Sequence, residues 1–518
     1  MDQAFQAVGE HGPFQKMTII IVSISSLLVT IYTLSFSYLT KLPEFLCKDT
    51  SFPNAQFHEC KYSQELCNSN IEMIKNPETS VKNWAYDFDL YCSREYYNDL
   101  ISTSFFTGGI IGTITFSSLP DKYGRKKLFQ ILLCVSCFLH LNLFLIISPI
   151  HMMFVYFLGG FFSFAYGMCF YIVSEYLPSS ITGTVMGILN ALYPLGGILI
   201  GLFFIYVNSW RMLYFIFFIF HVLITYLTLK YFTESPRWLN AMGKKEECLL
   251  AMENIAKING NLAAWEQFKK NNTNFIEGEK TNHHGNNNKT NDYSLIQIIG
   301  FKSQRKNFLL MAYIWMASSF CFFGIILNLG RMEGNFFTNS IFAFTGEMIS
   351  ESSTGYLSGV YGRLNVMKYS AYLGSTCFLL YMFVPHSIGF IMIFASMMGY
   401  AGIFNVIAVY SPEIFPTPIR GITCSFLLLI CRFSPLSVPP LSQFFQDNVN
   451  YVFIIAGYCS AIFCYFLEES LGKPLPDVIP EEVGKESFLM SSSHFDFSER
   501  FDIISDHNTS LKSMSFRM

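Results

Sequence analysis

Long apolar runs alternate with shorter polar links along this chain. A helix that crosses a bilayer needs about 20 consecutive, largely apolar residues. Twelve stretches meet that need: 17–39, 100–119, 128–148, 151–173, 184–207 and 212–232, then 308–328, 335–356, 366–385, 387–409, 421–441 and 450–467. The eighth and eleventh are the least apolar, because they carry charge or several prolines. Links within each set of six are short, apart from the one after span 1, so neighbouring spans run antiparallel. Two long polar stretches interrupt the pattern. The first, 40–99, follows span 1, and the second, 233–307, separates six spans from six. Within the second, Leu249, Met252, Ile255 and Ile258 recur at helical spacing and predict a short amphipathic helix. The Asn-rich part that follows, 271–291, reads as a flexible linker. The pattern predicts an all-α membrane protein of twelve transmembrane helices in two six-helix bundles. Its parts are an N-terminal tail 1–16, a bundle 17–232 with the loop 40–99 inside it, a loop 233–307, a bundle 308–467 and a tail 468–518.

Composition agrees. Hydrophobic residues make up 52% of the chain and charged residues 14%, against about 25% charged in soluble domains. Mean hydropathy is +0.36. A net charge of −3 offers no basic field to a nucleic acid. No phosphate-cradling Gly-Lys-Ser/Thr loop, His-Glu-x-x-His helix or Gly-x-Ser-x-Gly elbow stands in a suitable context. The chain is therefore expected to be no enzyme and to need no cofactor or metal. Its expected partners are a lipid bilayer and a small solute, with the monomer as the working unit.

Basic residues set the orientation. Lys122, Arg125, Lys126 and Lys127 lie between spans 2 and 3, Arg363 and Lys368 between 8 and 9, and Arg420 between 10 and 11. Short links on the other side hold only Arg211 and Arg331. Both termini are thus expected in the cytosol, of a cell whose plasma membrane the chain spans, and the loop 40–99 outside. That loop carries Cys47, Cys60, Cys67 and Cys92, which are expected to pair as disulfides in an oxidising compartment. Four cysteines allow three pairings, and spacing does not choose among them.

The two halves repeat. Gly124-Arg125 recurs 238 residues later as Gly362-Arg363, Glu175 at the same offset as Glu413, and Glu234 as Glu468, 234 residues on. Asp121-Lys-Tyr-Gly-Arg-Lys126 in the 2–3 link resembles the signature loop of the major facilitator superfamily. Glu234-Ser-Pro-Arg-Trp-Leu239 and Ser411-Pro-Glu-Ile-Phe-Pro-Thr-Pro-Ile-Arg-Gly421 are similar to its motifs after spans 6 and 10. Trp84 to Cys92, Asn328 to Asn335 and Leu467 to Asp477, together with the Cys-bearing first loop, resemble the organic cation/anion/carnitine transporter family of that superfamily, over about residues 1 to 480. Departures are Ser117 for Gly, Thr182 for Arg, Gly359 for Asp and four loop cysteines where relatives often have six.

The resemblance implies the major facilitator fold, two bundles that rock about a central site, and secondary transport of small organic ions. These would be cations, zwitterions such as carnitine-like solutes, or anions. Rival readings are a sugar porter of the same superfamily and a membrane receptor that does not transport. The resemblance also implies that Asp121, Arg125, Glu175, Glu234, Arg237, Arg363, Glu413 and Arg420 form cytosolic ion pairs that gate the motion.

Charge at bilayer depth costs about 2.5–3.5 kcal/mol on insertion scales and so faces a cavity or a partner. Glu347 and Glu351 lie in span 8 one turn apart, on one face, and Arg432 lies near the centre of span 11. In the resembled family a Glu at the position of Glu347 accompanies cation and carnitine carriers, and an Arg at that of Arg432 anion and carnitine carriers. Both together point to a zwitterion, unless they neutralise each other as a structural pair. Phe322, Phe323 and Phe337 are candidate aromatic lining. His140 and His221, in spans 3 and 6, are read as packing residues.

Overall fold

A computed structural model describes residues 2–49, 56–60, 62, 66–68, 71–271, 302–445, 448–473 and 476. Most of the Asn-rich linker, and the tail beyond 476, lie outside the described residues. Helices stand at all twelve expected positions. In the first half they are α2 (Pro13–Leu34), continued by α3 (Phe36–Leu39), then α5 (Tyr96–Phe116), α7 (Arg125–Phe144), the broken pair α8 (Pro149–Phe162) and α9 (Phe164–Tyr176), α10 (Ser179–Tyr206) and α11 (Trp210–Tyr231). In the second they are α15 (Lys302–Asn328), α16 (Phe336–Tyr361), α17 (Arg363–Tyr381), α18 (Gly389–Ile414), α19 (Thr417–Phe445) and α20 (Val449–Cys464). Local sequence explains many of the ends. Pro13 and Pro149 open helices where their missing N–H costs nothing. Ser148 and Asn335 cap α8 and α16 by accepting from His151 and Thr338.

By length and hydropathy alone, 8 helices among the described residues could cross a membrane. The remaining four fall short for a visible reason. α20 is short, at 16 residues. The other three bury polar side chains: Asn98 and Ser102 in α5, Asn339, Glu347, Ser350 and Thr354 in α16, and Ser375 in α17.

The loop between α3 and α5 departs from the all-α expectation. β1 (Phe45–Asp49) pairs antiparallel with β2 (His58–Cys60) and β3 (Ile71–Lys75), in the order β2-β1-β3. Disulfides join Cys47 to Cys60 and Cys67 to Cys92. The short helix α4 (Trp84–Asp87) drives Trp84 into the bundle, where it is fully buried against Phe36, Tyr156, Trp210 and Tyr214. That aromatic anchor fixes the small sheet to one end of the molecule, here the loop end.

The opposite, helix end carries α6 (Leu119–Tyr123), α12 (Pro236–Ala241), α13 (Lys245–Asn259) and α14 (Leu262–Asn271). α13 is the expected amphipathic helix. Met252 and Ile255 are buried and Leu249 half-buried, but Ile258 is exposed. The N-terminal tail begins with a short helix, α1 (Asp2–Val8). Its Ala4, Phe5 and Val8 are buried against α13 and α14. Asn259 stitches it down, accepting from Phe14 N at 2.9 Å and donating to Val8 O at 2.9 Å.

Mapping of the non-reduced, digested protein by mass spectrometry should return Cys47 linked to Cys60 and Cys67 linked to Cys92. The double replacement of Cys47 and Cys60 by Ser should leave the second link intact. A Cys47–Cys67 or Cys47–Cys92 linkage in the native protein would contradict this pairing.

Candidate functional site

Each half builds the same scaffold at the helix end. Between α6 and α7, Gly124 has φ +96°, and between α16 and α17 Gly362 has φ +96°. Only glycine takes that conformation freely. At both, a side chain would strike a carboxylate: Glu234 beside Gly124, Glu469 beside Gly362. The two carboxylates cap the next helix. Glu234 accepts from Arg125 N and Lys126 N, each at 2.9 Å, and Glu469 from Arg363 N at 2.9 Å and Leu364 N at 3.0 Å. Negative charge on free N–H groups at a helix start is stabilising. Arg125 then binds Asp121 and Glu175, and Arg363 binds Glu413 at 3.1 Å. The repeat read at Glu468 is thus shifted by one residue: Glu469 is the structural counterpart of Glu234.

The Arg positions differ between halves. Arg420 donates to Phe415 O at 3.1 Å. Its counterpart by the 238 offset is Thr182, which donates to Pro178 O. The equivalent carbonyl, Leu177 O, receives instead Arg237 at 3.2 Å, which also pairs with Asp2 of α1 at 2.6 Å. Arg237 therefore supplies from α12 the guanidinium that Thr182 lacks. Apart from Arg420, which pairs with no carboxylate in the described residues, the predicted helix-end charges are satisfied inside their own half. Among the described residues none of their ion pairs joins the halves.

The halves meet along α10 against α16 and α5 against α19. Between them stands the candidate chamber. α16 buries Glu347 to 2% exposure, and its Oε2 has no hydrogen-bond partner. The charged group that bears on it is Glu351, one turn along and half-buried. Across the interface, Tyr166 of α9 and Tyr193 of α10 stack edge to face at 5.7 Å, and Tyr193 donates to Thr33 at 3.0 Å. Both carboxylates lie within electrostatic reach of both tyrosines, and Arg432 within reach of Tyr193. Arg432 is solvent-accessible, and its Nη1 comes within 3.8 Å of where a Cβ on Gly109 of α5 would sit. An accessible guanidinium whose tip reaches the other bundle stands in the space between the two. Among the described residues Arg432 makes no hydrogen bond or ion pair, so the self-neutralising Glu347–Arg432 pair is not formed. A buried carboxylate costs several kcal/mol unless something compensates it. The arrangement is suited to an ammonium on one wall and a carboxylate or sulfonate on the other.

The aromatic candidates separate. Phe322 is buried on Phe404 of α18, and Phe323 meets Phe106 of α5 edge to face at 5.2 Å, across the bundle interface. Phe337 stands ten residues before Glu347, about 15 Å along the helix, stacked on Tyr38 at the loop end. His140 and His221 lie ring to ring at 4.3 Å, tilted by 31°, fully buried in the first bundle beside Tyr32.

The loop end is closed by residues that the sequence did not single out as functional. Arg331, from the turn after α15, pairs with Glu95 at 3.5 Å and Asp99 at 3.9 Å at the start of α5. Gln443 of α19 also donates to Asp99. Lys41 lies over the Phe336 ring at 5.1 Å, and Tyr38 packs on the same ring. Among the described residues, the salt bridges between halves all use Arg331. A signal was present in the sequence: two acids one turn apart, just before span 2, and a lone base in the 7–8 link. Tyr166 and Tyr193 gave no comparable signal among 29 tyrosines.

Comparison with known proteins bears out the resemblance. The Major Facilitator Superfamily profile matches residues 93–346. The chain is 23% identical over 504 residues to solute carrier family 22 member 15-like of Xenopus laevis, covering 93% of this chain and 96% of that one. It is 24% identical over 486 residues to organic cation/carnitine transporter 4 of Arabidopsis thaliana, covering 91% and 88%. It is 23% identical over 533 residues to organic cation/carnitine transporter 2 of Homo sapiens, covering 93% of each. Among solved structures, the inward open conformation of the xylose transporter XylE from E. coli superposes with a TM-score of 0.59 at 15% identity, covering 88% of this chain and 97% of that one. The fold is that of the major facilitators.

Glu469→Ala should leave two N–H groups of the first turn of α17 without acceptors. It should lower stability by about 1–2 kcal/mol, read as a fall in melting temperature of the detergent-solubilised protein. Glu234→Ala should cost about as much, because the first half uses the same cap. Unchanged melting of both variants would show that these carboxylates do not hold the helix starts.

Proposed function

We propose that this chain, which carries the major facilitator fold, is a secondary transporter of small organic ions, with zwitterions and cations as its principal substrates. Glu347 and Arg432 carry the reading: two unpaired opposite charges, presented by α16 and α19, in the space between two bundles. A solute bearing an ammonium and an acid would satisfy both at once. The names of the curated relatives, organic cation and carnitine transporters, support the same class.

The proposed orientation puts the loop end outside and the helix end in the cytosol, with the plasma membrane as the site. The excess of Lys and Arg at the helix end and the two disulfides at the loop end support it. In that frame the structure is closed toward the outside by the Arg331 pairs. The closure at Arg331 must open for solute to enter from outside, and the chamber then closes toward the cytosol. The bodies that move are the bundles 17–232 and 308–467, each held rigid by its own Arg–Glu scaffold. The chain works as a monomer, since both walls of the chamber belong to it. Membrane potential contributes about 2.3 kcal/mol per charge at 100 mV, enough to concentrate a monovalent cation.

A neutral sugar has no use for two unpaired charges, and the likeness to the xylose transporter is one of fold. A receptor on the same fold would bind solute without flux.

In proteoliposomes, Arg432→Ala should weaken uptake of carnitine, which bears a carboxylate, while Glu347→Gln should weaken uptake of both carnitine and choline. A hydrogen bond to a charged group contributes about 1.5–3 kcal/mol, so each loss should be about ten- to a hundredfold in apparent affinity. Wild-type flux of both solutes by folded E347Q and R432A would remove these residues from the site. Saturable glucose uptake would favour the sugar reading, and binding without flux the receptor.

A further inference from the structure

The two halves share their helix-end scaffold but not the charges around it. Glu234 accepts from Lys126 N and Glu469 from Leu364 N, so those two residues occupy equivalent places, and Lys127 answers to Asn365. Counted from the same carboxylates, Lys230 answers to Tyr465. Counted from Gly124 and Gly362, Lys122 answers to Val360. The second half therefore builds the same turn, cap and helix start with none of these lysines. On that face it keeps Lys368, over the Tyr465 ring at 4.7 Å. The scaffold does not need the lysines of the first half, and they serve no carboxylate either. Among the described residues Lys122, Lys126, Lys127 and Lys230 make no ion pair.

Local packing gathers three of them at one seam. Gln130 of α7 donates to Thr228 O of α11 at 3.0 Å, and Phe144 meets Phe215 at 5.4 Å at the other end of the same helix pair. Lys126 and Lys127 open α7 within about a turn of Gln130, and Lys230 lies in the last turn of α11, just after Thr228. From there each helix presents an outward apolar stripe. On α7 the exposed positions Lys127, Ile131, Cys134 and Phe138 recur at helical spacing. On α11 Lys230, Tyr226, Leu223 and Ile219 do the same. Lys230 lies over the rings of Tyr226 and Tyr231 at 5.9 and 5.1 Å. Tyrosine beside lysine at the end of a spanning helix marks the height of the lipid headgroups. A basic head above two apolar stripes is the complement of a phospholipid with net negative charge. A soluble anion would meet the lysines and leave the stripes unused; a neutral lipid would do the reverse.

We propose that the helix end of the α7–α11 seam is a binding site for one anionic phospholipid. Lys126, Lys127 and Lys230 hold its headgroup phosphate, Lys122 adds to the local field, and the acyl chains lie along the two stripes. The site belongs to the first half alone and lies outside the chamber, so it is independent of which solute the protein carries. Both helices are parts of one bundle, and the lipid joins the start of one to the end of the other.

Native mass spectrometry of the full chain tests this. The protein is delipidated in detergent and offered equal amounts of phosphatidylserine and phosphatidylcholine. About one phosphatidylserine should stay bound per chain at a concentration where phosphatidylcholine does not, because each lysine near the headgroup contributes about a fivefold preference for negative charge. K126Q/K127Q/K230Q should therefore bind it about a hundredfold more weakly. K244Q/K257Q/K269Q removes the same charge from α13 and α14, where these lysines already pair with Glu247 and Glu253, and should bind as the wild type does. The reverse change, V360K/N365K, should build a second site beside Lys368 and raise bound phosphatidylserine to about two per chain. That variant decides the matter even if the triple glutamine variant does not fold. Equal retention of the two lipids overturns the inference. So does undiminished binding by K126Q/K127Q/K230Q, an equal loss in the α13 and α14 variant, or a V360K/N365K protein that gains no lipid. Displacement of phosphatidylserine by an equal concentration of inorganic phosphate would make this a site for free anions and would overturn it as well.

Discussion

A charge inside a helical bundle in lipid must be neutralised by something, and in this chain the centre of the molecule does not do so by itself. Glu347 is buried with an oxygen that nothing meets, and Arg432 reaches toward α5 without a partner. At the helix end the Arg125 and Arg363 clusters are paired. Arg125, Glu175 and Glu234 compensate one another at one end of the first half, as do Arg363, Glu413 and Glu469 in the second. The contrast separates scaffold from site. The Arg125 and Arg363 clusters hold helices together by paired charge, whereas Glu347 and Arg432, between the two bundles, stand unpaired where a solute could complete them.

That division also describes how the molecule could move. Each half is locked internally by the same glycine, carboxylate and guanidinium, so bending within a half would break several charge-assisted bonds. The polar contacts between halves are fewer and lie at the opposite end. They are the Arg331 pairs and Gln443 on Asp99, beside the edge-to-face contact of Tyr38 with Phe336. Glu95 joins this closure to the disulfide-bearing loop, because Tyr62 donates to it at 3.0 Å. Burial of Tyr62, with the Glu95 carboxylate adding to it, pushes that hydroxyl up to about 12, so it remains a donor at physiological pH. The loop domain is thereby tied to the first half on the side where the gate closes.

Much of this was legible from residue pattern. Apolar length gave the helices, and the 238-residue offset gave the repeat, because a bundle of six helices that ends in the same tight turn needs the same glycine and arginine there. The offset misled at Glu468, since a carboxylate at a helix end can be shifted by one residue without visible change in the local sequence. Glu347 and Arg432 stood out because charge is scarce in apolar segments. Phe337 did not meet them, because position along a long helix separates residues that a list of aromatics treats alike. The three-stranded sheet was hidden in a loop whose strands are three to five residues long. Tyr166, Tyr193 and the Arg331 closure depend on which helices face each other across the two halves, and no pattern within one helix encodes that.

The central claim is that two rigid halves exchange a closure at the loop end for one at the helix end around the chamber. Spin labels read by pulsed dipolar spectroscopy test it most directly. One pair would sit on the exposed loop-end tips of α5 and the link after α16's partner α15, the other on the exposed helix-end faces of α7 and α17, in protein reconstituted in lipid with and without carnitine. The account predicts opposite changes within one sample: a second population in which the loop-end distance lengthens while the helix-end distance shortens, with its share altered by carnitine. A single distance at both ends that carnitine leaves unmoved, or both ends widening together, would contradict it.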